Sequence, residues 1–228
     1  KVSGKTIDGV YDFELAPDGK SLVYSAQTTP GDDELFVVSV ANPGVVRKLN
    51  GALPANGDVY RYRYVYTPDS KTVIYRGDLT TDGLTELYYT PVATPGSHTK
   101  LNAPIQSFTS VPEFIVSHDS SFVVYRGYAN SRYELLRVDI ANPTVATVVH
   151  GATAGSAYIP NQHYALTPDD KTLVFAGDMV FNGKEELFTA DMNNLGSHTV
   201  LSAPLVDSAS YDVFDFEIAP DGLSVVYR

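Results

Sequence analysis

The sequence contains no cysteine and no tryptophan, and only 16 of its 228 residues are lysine or arginine. The absence of cysteine excludes disulfide bonds and thiolate metal sites. With 27 aspartate and glutamate residues the formal net charge is −11, whereas nucleic acids and anionic membranes are bound through basic patches. We therefore predict no nucleic-acid partner. No long apolar run spans a bilayer thickness, so we also predict no membrane insertion.

Helix signals are missing as well, because no apolar pattern with the helical period persists along the chain. Aromatic residues are plentiful instead, with 16 tyrosines and 10 phenylalanines. Such residues favour strands, and their rings supply apolar area for a sizeable core while the tyrosine hydroxyls reach polar partners. The composition therefore favours an all-β protein.

A strand–turn–strand hairpin recurs five times at a spacing of about 50 residues. Each copy reads as an apolar strand, a turn of the Pro-Asp-Gly type and a second apolar strand. The copies are Phe13–Tyr24, Tyr64–Tyr75, Phe114–Tyr125, Tyr164–Phe175 and Phe216–Tyr227. Proline fixes φ in the turn, aspartate bonds to the following backbone, and glycine or a small polar residue tolerates the corner. A repeat of this length, built from strands, predicts a β-propeller with one blade per repeat.

No break in composition interrupts the repeat, so we predict a single β-propeller domain over residues 1–228. Four complete four-stranded blades are expected at about 10–50, 60–102, 112–150 and 162–202, with a partial fifth at 212–228 and a candidate closing strand at 1–9. Two arrangements fit: a five-bladed ring with one thin blade, or a piece of a larger propeller. Pairing of Val2–Thr6 with Ser224–Arg228 would close the ring, and an unpaired edge would favour strand-mediated self-association.

The repeat F-x-[LI]-[AST]-P-D-[GSD]-K-x-[LIV]-[VI]-[YF] resembles the TolB-like (WD-repeat-like) β-propeller family. A Glu-Leu pair opens the third strand of each complete repeat, at Glu34, Glu86, Glu134 and Glu186. The resemblance covers essentially the full chain and implies the propeller fold. Such repeats occur in periplasmic binding scaffolds, in the gating propellers of serine peptidases and in some polysaccharide lyases. The resemblance therefore implies a periplasmic or extracellular location and leaves the function to the sites.

Two acidic loops are the candidate metal sites. Both read D-x₃-[DN]-G-x₂-E, with oxygen ligands around a glycine bend that would suit Ca²⁺. The candidate ligands are Asp78, Asp82 and Glu86 in one loop, and Asp178, Asn182 and Glu186 in the other. The alternative is that Asp82-Gly83 and Asn182-Gly183 are simply hairpin turn residues. No other cofactor is predicted.

The remaining titratable residues point to structure more than to catalysis. One aspartate lies in each hairpin turn, and we interpret all five as turn formers: Asp18, Asp69, Asp119, Asp169 and Asp221. We interpret the histidines likewise as structural, and the sequence has no G-x-S-x-G, Gly-rich phosphate loop or H-E-x-x-H motif. No catalytic residue is therefore predicted.

Three functions fit these observations. The first is a non-enzymatic scaffold that binds a protein, peptide or glycan through loops or a central channel. The second is a structural spacer within a larger surface protein. The third is a propeller-type lyase or hydrolase, which would need polar side chains to converge at one end of the blades. The available side chains are Tyr60, Arg61, Arg63, Arg76, Arg126, Arg132 and His163.

Overall fold

The computed structural model describes residues 9–29, 31–104, 110–129, 132–151, 159, 163–179, 184–202, 213 and 215–228. Within these ranges the chain forms β-strands joined by turns, and no helix occurs among them. The first sheet contains β1 to β4, at Val10–Leu15, Ser21–Thr29, Asp32–Ser39 and Val46–Lys48. The second contains β5 to β8, at Val59–Tyr66, Thr72–Gly77, Glu86–Pro91 and Thr99–Lys100.

The later sheets repeat this arrangement. The third contains β9 to β12, at Glu113–Val116, Phe122–Ala129, Arg132–Asp139 and Ala146–Val148. The fourth contains β13 to β16, at Tyr164–Leu166, Thr172–Gly177, Glu186–Asp191 and Thr199–Val200. The last contains β17 and β18, at Phe216–Ile218 and Val225–Tyr227.

Each complete sheet is an antiparallel meander whose strands are neighbours in chain order, which is the arrangement of a propeller blade. The predicted four four-stranded blades and two-stranded fifth are confirmed. The chain divides into two compact units, the first with blades one and two and the second with the remaining blades. A single domain for all blades stays a prediction. The candidate closing strand lies outside the described residues except for Gly9.

The hairpin turns share one backbone conformation. In each of the five, an N–H three residues along the turn donates to the carbonyl that opens it, as Gly19 does to Ala16 at 2.8 Å. The donor residue has a positive φ in every case: Gly19, Ser70, Ser120, Asp170 and Gly222, at 58° to 72°. Glycine adopts this conformation without cost, whereas serine and aspartate need a compensating contact.

Two of the non-glycine turn residues make such a contact with the preceding blade. The Ser70 hydroxyl accepts the backbone N–H of Asp18 at 3.0 Å. Asp170 accepts the backbone N–H groups of His118 and Asp119 at 3.0 and 2.9 Å, and it meets His118 Nδ1 at 2.7 Å. The turn of one blade is thus fastened to the turn of its neighbour within each unit.

Aromatic side chains fill the blades. Tyr24 stacks on Phe36, Tyr75 on Tyr88 and Phe175 on Phe188, with ring centroids 5.5 to 6.2 Å apart. Each pair faces directly across neighbouring strands, where stacked rings add to the free energy gained from burial. The aromatic residue within the second strand is fully buried in the four complete blades, but its counterpart Tyr227 is 40% exposed. Tyr227 is more exposed than its counterparts because the partial blade has no third strand among the described residues to cover it.

Candidate functional site

The first strand of the second blade is interrupted by a large bulge. Val59 pairs with Gly77 and Tyr64 pairs with Tyr75, so five steps along β5 correspond to two along β6. Tyr60–Arg63 form the extra segment, which we call the YRYR bulge. Bulges of this kind redirect side chains and are frequent beside functional sites. In the described residues, the first strands of the other complete blades pair in regular register, apart from a smaller shift between Val10 and Asp12.

Arg61 anchors the YRYR bulge to the first blade. Its Nε and Nη2 donate to Asp33 Oδ2 and Oδ1 at 2.5 and 2.9 Å, a two-point contact that fixes the plane of the guanidinium. The same guanidinium lies 3.4 Å from the centroid of the Tyr11 ring. The hydrogen bond to Asp33 raises the pKa of Arg61, so this cation stays charged. Arg61 is therefore a positioning residue.

A ladder of aspartates continues this anchor into the connecting loop. Asp58 Oδ1 accepts the backbone N–H of Asp33 at 2.6 Å, and Asp78 Oδ1 accepts the backbone N–H of Asp58 at 2.5 Å. Burial raises the pKa of Asp58, the Asp33 backbone hydrogen bond opposes that effect, and the nearby carboxylates of Asp33 and Asp78 reinforce it. The bulge is thus held by hydrogen bonds on the side that faces the first blade.

Tyr62 and Arg63 are left exposed at the outer side of the bulge. Tyr62 has a φ of 58° and a side chain that is 66% exposed, although its hydroxyl reaches the carbonyl of Tyr11 at 3.3 Å. A positive φ in a bulky residue carries strain that the surrounding contacts must hold. Tyrosine and arginine, together with tryptophan, are the side chains most enriched among the hot spots of protein interfaces. The YRYR bulge therefore has the composition of a binding surface.

Of the other polar residues considered for a converging site, Arg76 lies opposite the bulge and the remaining three lie in the second unit. Arg76 is on β6 opposite the bulge, within the first unit. In the second unit Arg126 is buried, with Nε donating to the Ile159 carbonyl at 2.7 Å and its guanidinium 4.0 Å from the Tyr133 ring. His163 Nδ1 is 3.8 Å from Glu185 Oε2. Within the second unit, Arg132 Nε donates to Glu134 Oε1 at 2.7 Å, so Arg126 and Arg132 each have an identified partner.

The first acidic loop uses its carboxylates inside the protein. Asp78 Oδ2 accepts the backbone N–H of Gly83 at 2.8 Å, while Glu86 receives hydrogen bonds from Thr80 and Tyr88 at 2.6 and 2.8 Å and pairs with Lys100. Asp82 is exposed. These bonds make Asp78 a cap of the loop and Glu86 an ion-paired residue.

In the second acidic loop, Asp178 and Glu186 are buried and Asn182 lies outside the described residues. Among the residues that the structure describes, no three histidine, aspartate or glutamate side chains are arranged to hold a metal ion. Calcium binding at these two loops stays a prediction.

A second charged cluster lines a cleft of about 420 Å³ in the third blade. Glu134 and His150 are buried there, with His150 Nε2 and Arg132 Nε at 2.8 and 2.7 Å from the Glu134 carboxylate. Burial raises the pKa of Glu134, but the hydrogen bonds from His150 and Arg132 outweigh it, so the pKa is lowered overall. His150 Nδ1 also lies 3.0 Å from the Gly151 carbonyl. The Glu134 carboxylate is thus paired with side chains of its own cluster.

The five turn aspartates form hydrogen bonds within their turns, and two histidines at the same repeat position pack against aromatic rings. All five turn aspartates accept a backbone N–H two residues along the chain, at 2.9 to 3.1 Å; they are Asp18, Asp69, Asp119, Asp169 and Asp221. His98 and His198 lie edge-on to the rings of Tyr88 and Phe188, and burial lowers the pKa of both histidines. His198 also lines a cleft together with Asp191 and Ser197.

Comparison with known proteins gives the fold. No protein-family model matches the chain, and no curated protein matches its sequence. Among solved structures, a protein assigned as TolB from Agrobacterium tumefaciens matches with a TM-score of 0.53 and 19% identity, over 95% of this chain and 80% of that one. A prolyl endopeptidase matches with a TM-score of 0.62 and 16% identity, over 92% of this chain and 30% of that one.

An oligogalacturonate lyase in complex with manganese matches with a TM-score of 0.51 and 17% identity, over 75% of this chain and 45% of that one. This chain therefore spans less than half the length of both the peptidase and the lyase. At these identities the matches concern the fold, and they include two enzymes beside the TolB protein. The chain has the TolB-like β-propeller fold, with four complete blades and a partial fifth.

Proposed function

We propose that this propeller scaffold is a non-enzymatic interaction module that binds a protein, peptide or glycan through the YRYR bulge. The observation that carries the proposal is the exposed Tyr62, which is held at a positive φ beside the exposed Arg63 while Arg61 is fixed underneath. An anchored bulge presents its side chains with little loss of conformational entropy on binding. Arginine adds two-point hydrogen bonding to carboxylates, so an acidic polypeptide segment is the preferred partner.

The charged clusters support a binding role over a catalytic one. Glu86 and Glu134 are buried, and each has a neighbouring cation and further hydrogen-bond donors, so these carboxylates stabilise the blades. A general acid or base must instead lie within hydrogen-bond reach of a substrate.

We also propose an exported location, periplasmic or extracellular, because the repeat resembles that of TolB-like proteins. Cell fractionation combined with external protease treatment tests this location. In the described residues no helix is long and apolar enough to cross a bilayer.

The test compares the chain with a Tyr62→Ala, Arg63→Ala double variant. Partners captured from an extracellular or periplasmic extract are identified by mass spectrometry, purified and titrated against both proteins, and a glycan array is probed in parallel. Loss of two hot-spot side chains should weaken binding by about 100-fold or more. A Lys171→Ala, Leu223→Ala variant removes two exposed side chains from the second unit and should bind as the parent does.

Equal affinity of the parent and the Tyr62→Ala, Arg63→Ala variant would refute the bulge as the binding surface. The absence of any saturable partner would favour a structural spacer. Turnover of proline-containing peptides or acidic glycans by the chain would refute the non-enzymatic role.

A further inference from the structure

A buried glutamate begins the third strand of every complete blade. None of the four is more than 8% exposed; they are Glu34, Glu86, Glu134 and Glu186. An ionised carboxylate at such a depth is costly unless a cation or several hydrogen bonds accompany it. The partner of each glutamate can therefore be compared across the repeats of the same chain.

Three of these glutamates have a cation. Lys48 pairs with Glu34, and Lys100 pairs with Glu86. The two lysines occupy the same repeat position on the fourth strand, where Lys48 lies opposite Phe36 and Lys100 lies opposite Tyr88. The third blade has Val148 at this position, opposite Leu136, but His150 and Arg132 approach Glu134 instead. The glutamate of the third blade therefore has a neighbouring cation although a valine occupies the position of the lysine.

Glu186 is the exception. Val200 stands where the lysine would be, opposite Phe188, and that phenylalanine has no hydroxyl to replace the one that Tyr88 gives to Glu86. Glu186 is 3% exposed, and its Oε2 is buried without a hydrogen-bond partner in the structure. Burial raises the pKa of Glu186, and only the charge of Lys184 opposes that effect.

The route by which a cation reaches the carboxylate is visible in the first two blades. The side chains of Lys48 and Lys100 are 38% and 30% exposed, so their stems run along the surface before the ammonium group meets the buried carboxylate. Val200 is short and 43% exposed, so the fourth blade has solvent access at the position that a lysine occupies in the first two blades.

We infer that Glu186 is a binding site for a primary ammonium group on an unbranched alkyl stem, entering over Val200. The lysine side chain of a partner and a free alkylamine share this chemistry. The site belongs to the second unit, whereas the YRYR bulge belongs to the first, and the inference does not depend on the function proposed for that bulge.

The test uses the whole chain, labelled for NMR, with 1-aminopentane and the peptide Gly-Gly-Lys-Gly-Gly as probes at neutral pH. We expect a saturable shift of the Leu187 amide, and Glu186→Gln should weaken it by about tenfold or more, since a bond between two charges becomes one to a neutral amide. Val200→Lys should compete with the probes and raise the melting temperature. The matched Val200→Met, whose stem is long but uncharged, should not raise it. Tighter binding of the peptide assigns the occupant to a polypeptide, and equal binding assigns it to a free amine.

Two results would overturn the inference. One is a Leu187 shift of equal size and midpoint in Glu186→Gln, which would place the amine elsewhere. The other is binding that is seen only after Lys184→Ala, which would mean that Lys184 already serves as the cation in solution.

Discussion

Replacement of Asp170 should destabilise the second unit in a graded way that depends on both its side chain and its backbone. The Asp170 carboxylate is 9% exposed and accepts three hydrogen bonds, from the His118 N–H, the Asp119 N–H and His118 Nδ1. Its φ is 58°, in the left-handed region. A substitution therefore removes the bonds, changes the backbone strain, or does both.

The magnitudes follow from these two contributions. A hydrogen bond to a charged group contributes about 1.5–3 kcal/mol when its donor is left buried, but His118 and Asp119 are exposed and can turn to water. We therefore expect a total loss of about 2–3 kcal/mol for Asp170→Gly, which keeps the left-handed conformation without strain. Asp170→Ala should lose about 1 kcal/mol more, because a Cβ is unfavourable there. Asp170→Ser should lose least, since Ser70 makes a bond of this kind from the same position in the second blade.

The assay is urea unfolding, followed by the near-ultraviolet circular dichroism of the tyrosines, for the parent and the three variants. The predicted order of stability is parent, Asp170→Ser, Asp170→Gly and Asp170→Ala. Equal midpoints for the glycine and alanine variants would contradict the backbone contribution. A glycine variant as stable as the parent would show that the three hydrogen bonds add nothing to stability.

Three further predictions concern the core and its titrating groups. Tyr125→Ala should cost about 3–5 kcal/mol in unfolding free energy because Tyr125 is 1% exposed, whereas Tyr227→Ala, at 40% exposed, should cost less than about half of that. Glu134→Gln should be less stable than the parent near neutral pH, and the difference measured by urea midpoints should shrink below about pH 4.5, because the lowered pKa of Glu134 makes its stabilising contribution disappear on protonation. Burial lowers the pKa of His198, so the parent should lose stability as the pH falls below about 6.5, and His198→Phe should lose less over that range. Identical pH profiles for parent and variant would contradict either titration prediction.

The hairpins of this protein were predictable because their determinants are local. Proline, aspartate and a small residue at consecutive positions specify the turn, and the structure shows Gly19 and Asp170 in the conformation that this pattern demands. The contact from Asp170 back to His118 was not predictable in the same way. It joins residues 52 positions apart, and an aspartate after an aspartate gives no local sign of it.

The YRYR bulge was missed because its sequence resembles regular strand. Residues 60–64 alternate between aromatic and charged side chains, which is the pattern of a half-buried strand, and only the pairing with β6 reveals the extra residues. The sequence does contain a signal for the ion pairs of the buried glutamates. Lys48 and Lys100 each follow a Glu-Leu pair by 14 residues, and Val148 and Val200 break that pattern in the last two complete blades. The sequence alone gave no reason to expect Glu86 to be buried.

Hydrogen–deuterium exchange of the chain with and without its purified partner tests the proposed binding surface most directly. The proposal predicts protection of the peptides that cover Val59–Arg63 and the neighbouring Tyr11, with unchanged exchange at the exposed edge strand Val225–Tyr227. Protection confined to other blades, with the exchange of Val59–Arg63 unchanged in the complex, would contradict it.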